Sequence, residues 1–398
     1  MVSIAGIGLA TEAGCRYEPA MLLNGILGAL ALLSLGLTLW QWLVARRFPL
    51  HQRISMGPRF PGSTLLKPLK GCDETTEDSL RSWLTQKCQE PIQVLFGVAS
   101  AEDPVCAVVR KLLLEFPTLD AQLVVCGPLS GANLKVSKLM QLESLAKYDA
   151  LVVSDADVRV PPDFLANVTA PLADERIGLV NCFYRLANPS TLAMQWEAIA
   201  INADFWSQVL QSQSLKPLDF ALGAVMATRR KQLQEIGGFA RLSDCLADDY
   251  QLGQRIARCG YRIVLCPVVV ECWSEPMGWR AVWKHQLRWA RTIRVCQPLP
   301  YFLSILSNAT LWPLLCVVFR PTALPLLFAG GCLGVRILTA RDLHKALTKL
   351  SVPIFHGALV LLKDLLQAVI WLLAFLGNRI EWRGELMRLR KDGTLVRG

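Results

Sequence analysis

Apolar positions follow two different patterns along the chain. Long apolar runs occur at residues 21–44 and again beyond Pro298, whereas the middle of the chain alternates short apolar segments with amphipathic ones. A helix of about 20 apolar residues crosses the roughly 30 Å hydrocarbon core of a bilayer. Residues 21–44 carry no charge and predict a transmembrane helix, while the middle predicts a folded domain outside the bilayer.

The flanks of the first run predict its orientation. Trp40 and Trp42 lie where an interfacial aromatic belt is expected, and Arg46 and Arg47 follow them. The positive-inside rule then places the rest of the chain at the cytoplasmic face, which we expect to be that of a bacterial inner membrane. A cleaved signal peptide fits poorly, because no basic segment precedes the run and no small-residue cleavage site follows it.

The middle region has the pattern of an α/β fold. Helical stretches such as 104–116 lie between apolar segments that predict strands. Strands that alternate with helices predict a mostly parallel sheet, in which ligands bind beyond the carboxyl ends of the strands. The predicted strands cover residues 63–71, 92–100, 121–127 and 150–158.

The region beyond Pro298 holds three apolar runs and then a basic tail. If all three runs, 299–319, 324–338 and 352–377, crossed the bilayer, the tail would lie outside, against the charge rule. Either the last run is re-entrant or interfacial, or a proline-rich run lies in the membrane plane. Lys363 and Asp364 interrupt the last run, and they either neutralise each other, line an entrance from the membrane, or form the polar face of an interfacial helix.

Charge and cysteine content narrow the class of protein. The formal net charge of +10 suits a protein beside an anionic leaflet, and no signature of a nucleic-acid-binding fold accompanies it. Thirteen cysteines occur without a CxxC pair and are interpreted as buried apolar residues; only Cys266 and Cys272 come close to a zinc-like spacing. The sequence therefore predicts five parts. They are an anchor at residues 1–47, an α/β domain at 60–275, an interfacial amphipathic segment at 276–298, a membrane region at 299–377 and a basic cytoplasmic tail at 378–398.

Two acid pairs are the first candidates for chemistry. Asp155 and Asp157 follow a predicted strand at i and i+2, so that both can reach one hard cation such as Mg²⁺ or Mn²⁺. Asp248 and Asp249 begin a helical stretch about ninety residues later, and an acid of one pair could act as a general base while the other holds metal. Taken singly, the first pair also fits a solvated turn and the second fits partners of a helix dipole.

Two cationic segments could face phosphate groups. Gly131 permits a tight turn ahead of Lys135, although a loop that opens a surface helix fits as well. At helical spacing Arg280, Lys284, Arg288 and Arg291 share one face, which fits either an amphipathic helix at a membrane surface or support for a departing diphosphate.

Seven separated motifs carry a resemblance to a known family. They are LLKPLKGCD, FGVASAEDP, GANLKVSKL, SDADVRV, GGF…LADDY, HQLRWARTIR and EWRG. In this order they resemble the inverting, membrane-bound glycosyltransferases of the GT-A fold, in particular the ceramide glucosyltransferases and their bacterial relatives, which include the hopanoid-associated glycosyltransferases. The match covers nearly the whole chain from Thr64 to Gly393.

The resemblance implies a role for each candidate. Asp155 and Asp157 would bind UDP and a divalent metal, Mg²⁺ or Mn²⁺, and Asp249 would deprotonate the acceptor hydroxyl. The remaining donor-binding candidates are Lys67, Glu102, Asp103, Lys135, His285, Arg288 and Trp289. The last three would hold the diphosphate and close over the sugar.

The chain departs from the family pattern at two positions. The block that ends in Arg288 and Trp289 usually starts with Gln or Arg, and here it starts with His285. An acid often present near Ser100 is missing, and Glu102 or Asp103 would take its place at the uridine.

The resemblance implies a UDP-sugar-dependent enzyme that glycosylates a membrane lipid. Glucose transfer to a ceramide-like acceptor is the leading hypothesis, and transfer of N-acetylglucosamine to a hopanoid polyol is the alternative. A processive polysaccharide synthase would need more membrane spans, and a non-catalytic lipid-binding or transport protein would not need both acid pairs. The segment 205–225 is interpreted as a loop that faces the acceptor.

Overall fold

The structure is a computed structural model that describes residues 11–54, 60–351, 356–382, 385–390 and 392–397. Its centre is a single eight-stranded sheet. The strands are β1 (Ser63–Pro68), β2 (Ile92–Val98), β3 (Asp120–Val125), β4 (Ala150–Ser154), β5 (Val158–Arg159), β6 (Ile177–Leu186), β7 (Val225–Arg229) and β8 (Arg262–Cys272).

The sheet has the order β3-β2-β1-β4-β7-β6-β8-β5. The first four strands in this order are parallel, β7 is antiparallel to both of its neighbours, β6 and β8 are parallel, and β5 is antiparallel to β8. Every residue of β1 is buried, as expected of a central strand whose two faces are both covered. Separate apolar clusters cover the two faces of the sheet. The predicted fold class, a mostly parallel α/β sheet with apolar helices at both ends of the chain, is confirmed.

Helices cover the sheet and continue into the apolar ends of the chain. They are α1 (Thr11–Arg47), α2 (Thr76–Leu84), α3 (Val105–Glu115), α4 (Leu134–Leu145), α5 (Phe164–Thr169), α6 (Leu192–Ile199), α7 (Trp206–Leu215), α8 (Arg230–Glu235), α9 (Asp248–Arg258), α10 (Trp279–Cys296), α11 (Pro298–Leu303), α12 (Leu311–Phe319), α13 (Ala323–Thr348) and α14 (His356–Phe375). The expectation of a loop at 205–225 is wrong for its first half, because α7 follows α6 through a π-helical turn at Ala200–Phe205. Trp206 and Leu210 of α7 are buried in the core, so the segment is held by packing.

Within the described residues, three helices, α1, α13 and α14, are long and apolar enough to cross a membrane. The first two run in the same direction. At one end Trp42 of α1 donates a hydrogen bond to Asp342 of α13 (2.8 Å), and further along Leu27 and Phe328 share one apolar cluster. The chain must therefore pass back across the apolar layer before α13 begins. The pair formed by residues 298–307 and α12, bent by 53°, makes this passage, since Cys316 reaches the cluster of Leu27.

The last apolar helix crosses α13 instead of running beside it. Gly357 and Asp364 of α14 are about 10 Å apart along the helix axis. Nevertheless they contact the adjacent residues Ile337 and Arg336 of α13. The first part of the predicted run, 352–355, lies outside the described residues. At its other end α14 approaches α11, where Trp371 donates to the carbonyl of Tyr301 (2.9 Å).

The tail forms a small antiparallel sheet of three strands, β9 (Arg379–Trp382), β10 (Glu385–Leu389) and β11 (Leu395–Arg397). The amide of Leu395 donates to the carbonyl of Asp244 (2.7 Å), and the amide of Leu246 donates to that of Gly393 (3.3 Å). The tail therefore lies against the α/β domain. This arrangement removes the conflict between three spanning runs and the charge rule, because α14 crosses α13 and ends beside α11, so it does not carry the tail across the apolar layer.

Candidate active site

The Asp155–Asp157 turn connects β4 to β5 and is fixed through its backbone. The amide of Asp155 donates to the carbonyl of Ala224 (3.2 Å), and the amide of Trp273 donates to the carbonyl of Asp157 (3.0 Å). The Lys67 ammonium, at the end of the neighbouring strand β1, also donates to the carbonyl of Asp155 (2.5 Å). The backbone bonds leave the two carboxylates of the turn available for other partners.

Lys67 stands at the carboxyl end of β1 and is fully buried. Its ammonium also donates to the Ser154 hydroxyl (3.1 Å) and lies 5.1 Å from the ring centre of Trp83. Burial lowers the pKa of Lys67 to about 7, although the charges of Asp157 and Asp155 oppose the shift. The structure thus places Lys67 beneath the acid turn, and its direct contact with a donor stays a prediction.

Lys135 joins the two predicted acid pairs. Asn133 caps α4 by accepting from the amides of Lys135 (3.1 Å) and Val136 (3.3 Å), which sets the start of the helix. The buried Lys135 ammonium then lies 2.7 Å from a carboxylate oxygen of Asp155 and 3.2 Å from one of Asp248. Burial lowers the pKa of Lys135, but the charges of Asp155 and Asp248 outweigh it, and the pKa rises well above its usual value.

Gly131 allows this junction to form. Its φ of 79° lies in the left-handed region, and a Cβ there would stand 2.6 Å from the carbonyl oxygen of Ser243. The amide of Asn133 donates to the same carbonyl (2.7 Å), and the Asn133 side-chain amide donates to the carbonyl of Cys245 (2.8 Å). The Gly131 turn therefore docks on the segment that leads to Asp248.

Asp249 is the second residue of α9, and Gly223 makes room for it. A Cβ at Gly223 would lie 2.6 Å from an Asp249 carboxylate oxygen, so a larger residue at position 223 would push the acid away. Burial, and then the charge of Asp248, raise the pKa of Asp249 to about 7. A carboxylate with a pKa near neutrality has the proton affinity that a general base requires.

Together, Lys67, Lys135, Asp155, Asp157, Asp248 and Asp249 form a group that we call the cleft cluster. Four carboxylates face two lysines, which leaves two negative charges in excess when all six groups are ionised. Asp157 reaches solvent, but it lies in a concave part of the protein, and this burial together with the charge of Asp155 raises the pKa of Asp157 to about 6.

The acid turn fits a divalent metal. Its donors are carboxylate oxygens, the ligands that Mg²⁺ and Mn²⁺ prefer, and the charge of Asp155 adds to the effect of burial in raising the pKa of Asp157. Among the described residues no group of three His, Cys, Asp or Glu side chains could hold a metal by itself. A metal bound by these carboxylates would therefore also take oxygens of a substrate phosphate as ligands. Within the described part of the chain, Cys266 and Cys272 do not belong to a group of three side chains that could bind zinc.

A cleft of about 350 Å³ opens beyond the ends of β1 and β2. Glu102 and Asp103 both line it, beside Lys70 and Ser100. The Asp103 carboxylate accepts from the amide of Gly71 (3.0 Å). Asp103 thus fixes the rim of the cleft, while Glu102 is exposed on it. A contact of either acid with uridine stays a prediction.

Helix α10 carries His285, Arg288 and Trp289, and it packs against α6 and the π-helical turn. The Nδ1 atom of His285 lies 2.6 Å from a carboxylate oxygen of Glu197 on α6, and the rings of His285 and Trp289 are 4.7 Å apart. Trp289 also packs against Phe205, with ring centres 6.3 Å apart. Arg288 is half-buried on the same helix.

The cations of α10 have a second function that the sequence did not indicate. Lys284 pairs with Glu381, and Arg291 donates to the carbonyl of Arg379. Arg294, one turn further, donates to the side chain of Asn378. Part of the predicted cationic face therefore holds the tail and does not face lipid or phosphate.

Sequence reasoning missed Glu197 and Tyr184. Glu197 is 1% exposed in a mostly apolar helix, which is the one signal that could have drawn attention to it. Tyr184 is a strand residue whose pKa is raised, first by burial and then by charges that include Asp249, Glu197 and Asp155. Tyr184 packs against Phe205, with ring centres 5.6 Å apart, and Phe205 in turn packs against Trp289 of α10.

A second charged group lies among the apolar helices, and we call it the membrane-side cluster. It consists of Asp204 from the π-helical turn, Arg336 from α13, and Lys363 and Asp364 from α14. Arg336 donates to Asp204 (2.9 Å) and to both oxygens of Asp364 (2.8 Å each), while Lys363 pairs with Asp204 and with Asp364 (3.0 Å). Thr310 also donates to Asp364 (2.6 Å). Lys363 and Asp364 thus neutralise each other, as one of the predicted alternatives states, with the help of two further charges.

The fold and this site define a class of protein. A mostly parallel sheet with a carboxylate pair at the end of β4, a second pair at the start of α9 and apolar helices at both ends is the arrangement of a membrane-bound GT-A glycosyltransferase. The chain belongs to glycosyl transferase family 21, whose sequence pattern matches residues 26–395. The predicted class, a UDP-sugar-dependent glycosyltransferase, is confirmed by this match.

Known proteins similar to this chain include two nematode enzymes. Ceramide glucosyltransferase 3 of Caenorhabditis elegans is 23% identical over 369 residues, which cover 88% of this chain and 77% of that protein. Ceramide glucosyltransferase 1 of the same organism is 24% identical over 219 residues, covering 55% of this chain and 47% of that protein. Among solved structures, the mannosyltransferase PcManGT from Pyrobaculum calidifontis, in complex with GDP-Man and Mn²⁺, is similar with 20% identity and a TM-score of 0.49, covering 87% of this chain and 99% of that one.

Proposed function

We propose that this glycosyltransferase moves glucose from UDP-glucose to the hydroxyl of a membrane lipid, with a ceramide-like lipid as the acceptor. The observation that supports the proposal is the Lys135 junction, in which one ammonium lies against both Asp155 and Asp248. Asp249, the candidate for the general base, directly follows Asp248. The names of the nematode relatives support the choice of donor and acceptor.

The reaction is a single displacement that inverts the anomeric carbon. Asp249 takes the proton of the acceptor hydroxyl as the acceptor oxygen forms its bond to that carbon. The bond between the same carbon and the diphosphate oxygen breaks, and UDP leaves with both electrons of that bond. A pKa of Asp249 near 7 lets it accept the proton at neutral pH.

The donor side requires positive charge. A divalent metal held by Asp155 and Asp157 would stabilise the charge that develops on the diphosphate. Lys135 keeps Asp155 and Asp248 in place, and Lys67 fixes the backbone of the turn. We assign His285, Arg288 and Trp289 to the diphosphate and the sugar, and Glu102 or Asp103 to the uridine.

We place the α/β domain at the cytoplasmic face of the membrane, in a bacterium that of the inner membrane. Arg46 and Arg47 end α1 on the side of the α/β domain, and the tail lies against that domain. The positive-inside rule assigns this side to the cytoplasm.

The proposal is tested with purified protein in lipid nanodiscs that contain a divalent metal. Radiolabelled UDP-glucose and UDP-N-acetylglucosamine are offered separately, each with ceramide, diacylglycerol or bacteriohopanetetrol. The expected result is label entering ceramide from UDP-glucose, at a rate at least about 100-fold lower with Asp249→Asn. The surface variant Asp120→Asn, whose acid pairs only with Lys147 in an exposed salt bridge, is the matched control and keeps full activity.

Transfer of N-acetylglucosamine to bacteriohopanetetrol would replace the donor and acceptor but keep the mechanism. UDP binding without transfer to any of the three lipids would overturn the ceramide assignment. Full activity of Asp249→Asn would overturn the assignment of the base.

A further inference from the structure

Glu197 occupies an unusual position for a carboxylate. It lies on α6, is 1% exposed, and its neighbours Trp196 and Ala198 are buried in the apolar core. A carboxylate in such surroundings is costly unless it is paired. One of its oxygens accepts both from His285 Nδ1 (2.6 Å) and from the Gln286 side-chain amide (2.8 Å). Both partners belong to α10, so Glu197 fixes the start of the block that ends at Trp289.

Because Nδ1 of His285 contacts Glu197, Nε2 is the ring nitrogen that remains for another partner. An ionised carboxylate only accepts hydrogen bonds, so Nδ1 of His285 carries the proton of this contact when Glu197 is ionised. The opposite edge, Nε2, is then the one that a ligand can reach. With Nδ1 protonated, a neutral ring would present a lone pair at Nε2 and repel a phosphate oxygen, whereas an imidazolium donates from both edges.

The ring is also held from a second side. Trp289 packs against it at 4.7 Å, and Trp289 in turn contacts Phe205. The His285 side chain is 29% exposed, so it is fixed without being closed off. Its orientation is therefore set before a ligand binds, which lowers the cost of ordering it on binding.

We propose that Glu197 is a positioning residue for donor binding: it holds His285 so that the imidazolium form donates from Nδ1 to Glu197 and from Nε2 to the diphosphate of the UDP-sugar. This inference rests on the proposed function. It explains how a histidine can stand where the family block usually has Gln or Arg, since those residues donate without the help of a buried acid. The His285–Glu197 pair thus supplies the donor that a single longer side chain supplies elsewhere.

A double-mutant cycle tests the inference through the affinity for UDP. Wild type, Glu197→Gln, His285→Gln and the double variant are prepared in nanodiscs with Mn²⁺, and UDP binding is measured by calorimetry. Glu197→Gln is expected to weaken UDP binding about tenfold, the size expected for the loss of a charge-assisted hydrogen bond. In the His285→Gln background the same change is expected to alter affinity by less than about twofold, because a glutamine side chain at this position needs no acid to orient it.

Gln286→Met is the matched control for a purely structural role. It removes the other hydrogen bond to Glu197, so it lowers the thermal midpoint but leaves UDP affinity unchanged. If Glu197→Gln does not fold, Glu197→Asp keeps the charge with a shorter reach, and it must still weaken UDP binding more than Gln286→Met does.

The outcomes separate this inference from the proposed function. Equal UDP affinity of wild type and Glu197→Gln, or an equal loss in both backgrounds of the cycle, overturns the role of Glu197 and leaves the proposed function standing. A wild type that binds no UDP overturns both.

Discussion

The cleft cluster and the membrane-side cluster use the same kinds of side chain and differ in balance. In the membrane-side cluster two carboxylates meet two cations, and all four side chains are at most 8% exposed. In the cleft cluster four carboxylates meet two lysines, and Asp155 keeps 40% of its side chain exposed although Lys135 is bound to it. The first group is neutral and closed, whereas the second is negative and open.

We interpret the membrane-side cluster as a structural site and the cleft cluster as the proposed site of donor binding. A buried ion pair without excess charge needs nothing further, and it joins α13 and α14 to the π-helical turn below the α/β domain. In the cleft cluster, burial and then the charge of a neighbouring carboxylate raise the pKa of Asp157 and Asp249, and an added cation would stabilise the ionised acids. Variants that change the balance of each cluster should therefore have different consequences.

Loss of the base should have the largest effect. Asp249→Asn removes the proton acceptor without moving the backbone, and we expect the turnover number to fall by about 10²- to 10⁴-fold. UDP affinity, measured by calorimetry, should stay within about twofold of wild type because the acid turn and Lys135 are untouched. A parallel loss of UDP binding would show that Asp249 holds the donor and is not only the base.

Removing a charge from the membrane-side cluster should lower the stability of the fold and leave the reaction step unchanged. Lys363→Met leaves Asp204 and Asp364 against Arg336 alone, and we expect about 3 kcal/mol of destabilisation, the low end for breaking a buried ion pair. The double variant Lys363→Met with Asp364→Leu keeps Asp204 opposite Arg336 and should recover part of this loss. Thermal unfolding in nanodiscs measures both, and a double variant less stable than the single one would contradict the claim that charge balance matters here.

Removing one acid of the turn should weaken the metal site. For Asp157→Asn we expect the Mn²⁺ concentration that gives half-maximal activity to rise by at least about tenfold, since even changes around metal ligands commonly cost about 10- to 100-fold in affinity. Activity at saturating Mn²⁺ should largely return. An unchanged requirement for Mn²⁺ would remove Asp157 from the site.

The pH dependence should report the base. Asp249 acts when it is ionised, and its pKa is raised to about 7, so the ionised fraction falls as the pH drops through 7. At saturating metal we expect kcat/KM to decrease about tenfold per pH unit below that value and to level off above it. The residual activity of Asp249→Asn should not show this decrease below pH 7. A decrease at the same pH in the variant would mean that another group titrates.

The smallest effect is expected at the edge of the tail. Lys284→Ala breaks an exposed pair with Glu381, and exposed pairs are screened by solvent, so the thermal midpoint should not change measurably. Leu395→Asp, which places a charge in the apolar cluster of Leu246 and Met387, should lower both the midpoint and the turnover number, because that cluster supports the segment before Asp248. Equal behaviour of the two variants would argue against a supporting role for the tail.

Local patterns were sufficient for some of these features. The strands β1 to β4 are apolar runs bounded by turn residues, and the Asp155–Asp157 turn follows one of them directly, so sequence alone predicted both. Contacts between distant parts of the chain were not predictable in this way. Glu197 meets His285 across 88 residues, and Asp204 meets Lys363 across 159. Neither acid has a sequence neighbour that reveals its partner, because a helix pattern shows which face is apolar but not which helix lies against it.

The course of α14 was likewise not predictable from the sequence. Hydropathy predicted an apolar run that contains Lys363 and Asp364, but whether it spans, returns or crosses depends on where Arg336 and Asp204 lie. The cations of α10 are a further case, since a cationic stripe gives the same pattern whether its partner is lipid, phosphate or Glu381. In each case the missing information is a tertiary contact.

The most direct test of the account is the stoichiometry of Mn²⁺ binding in the presence of UDP, measured by calorimetry in nanodiscs. One ion should bind per chain in the wild type and in the Lys363→Met, Asp364→Leu variant, and binding should be lost when Asp155 and Asp157 are both changed to Asn. Mn²⁺ binding that survives the loss of both acids of the turn would contradict the claim that the open, negative cluster is the site of donor binding.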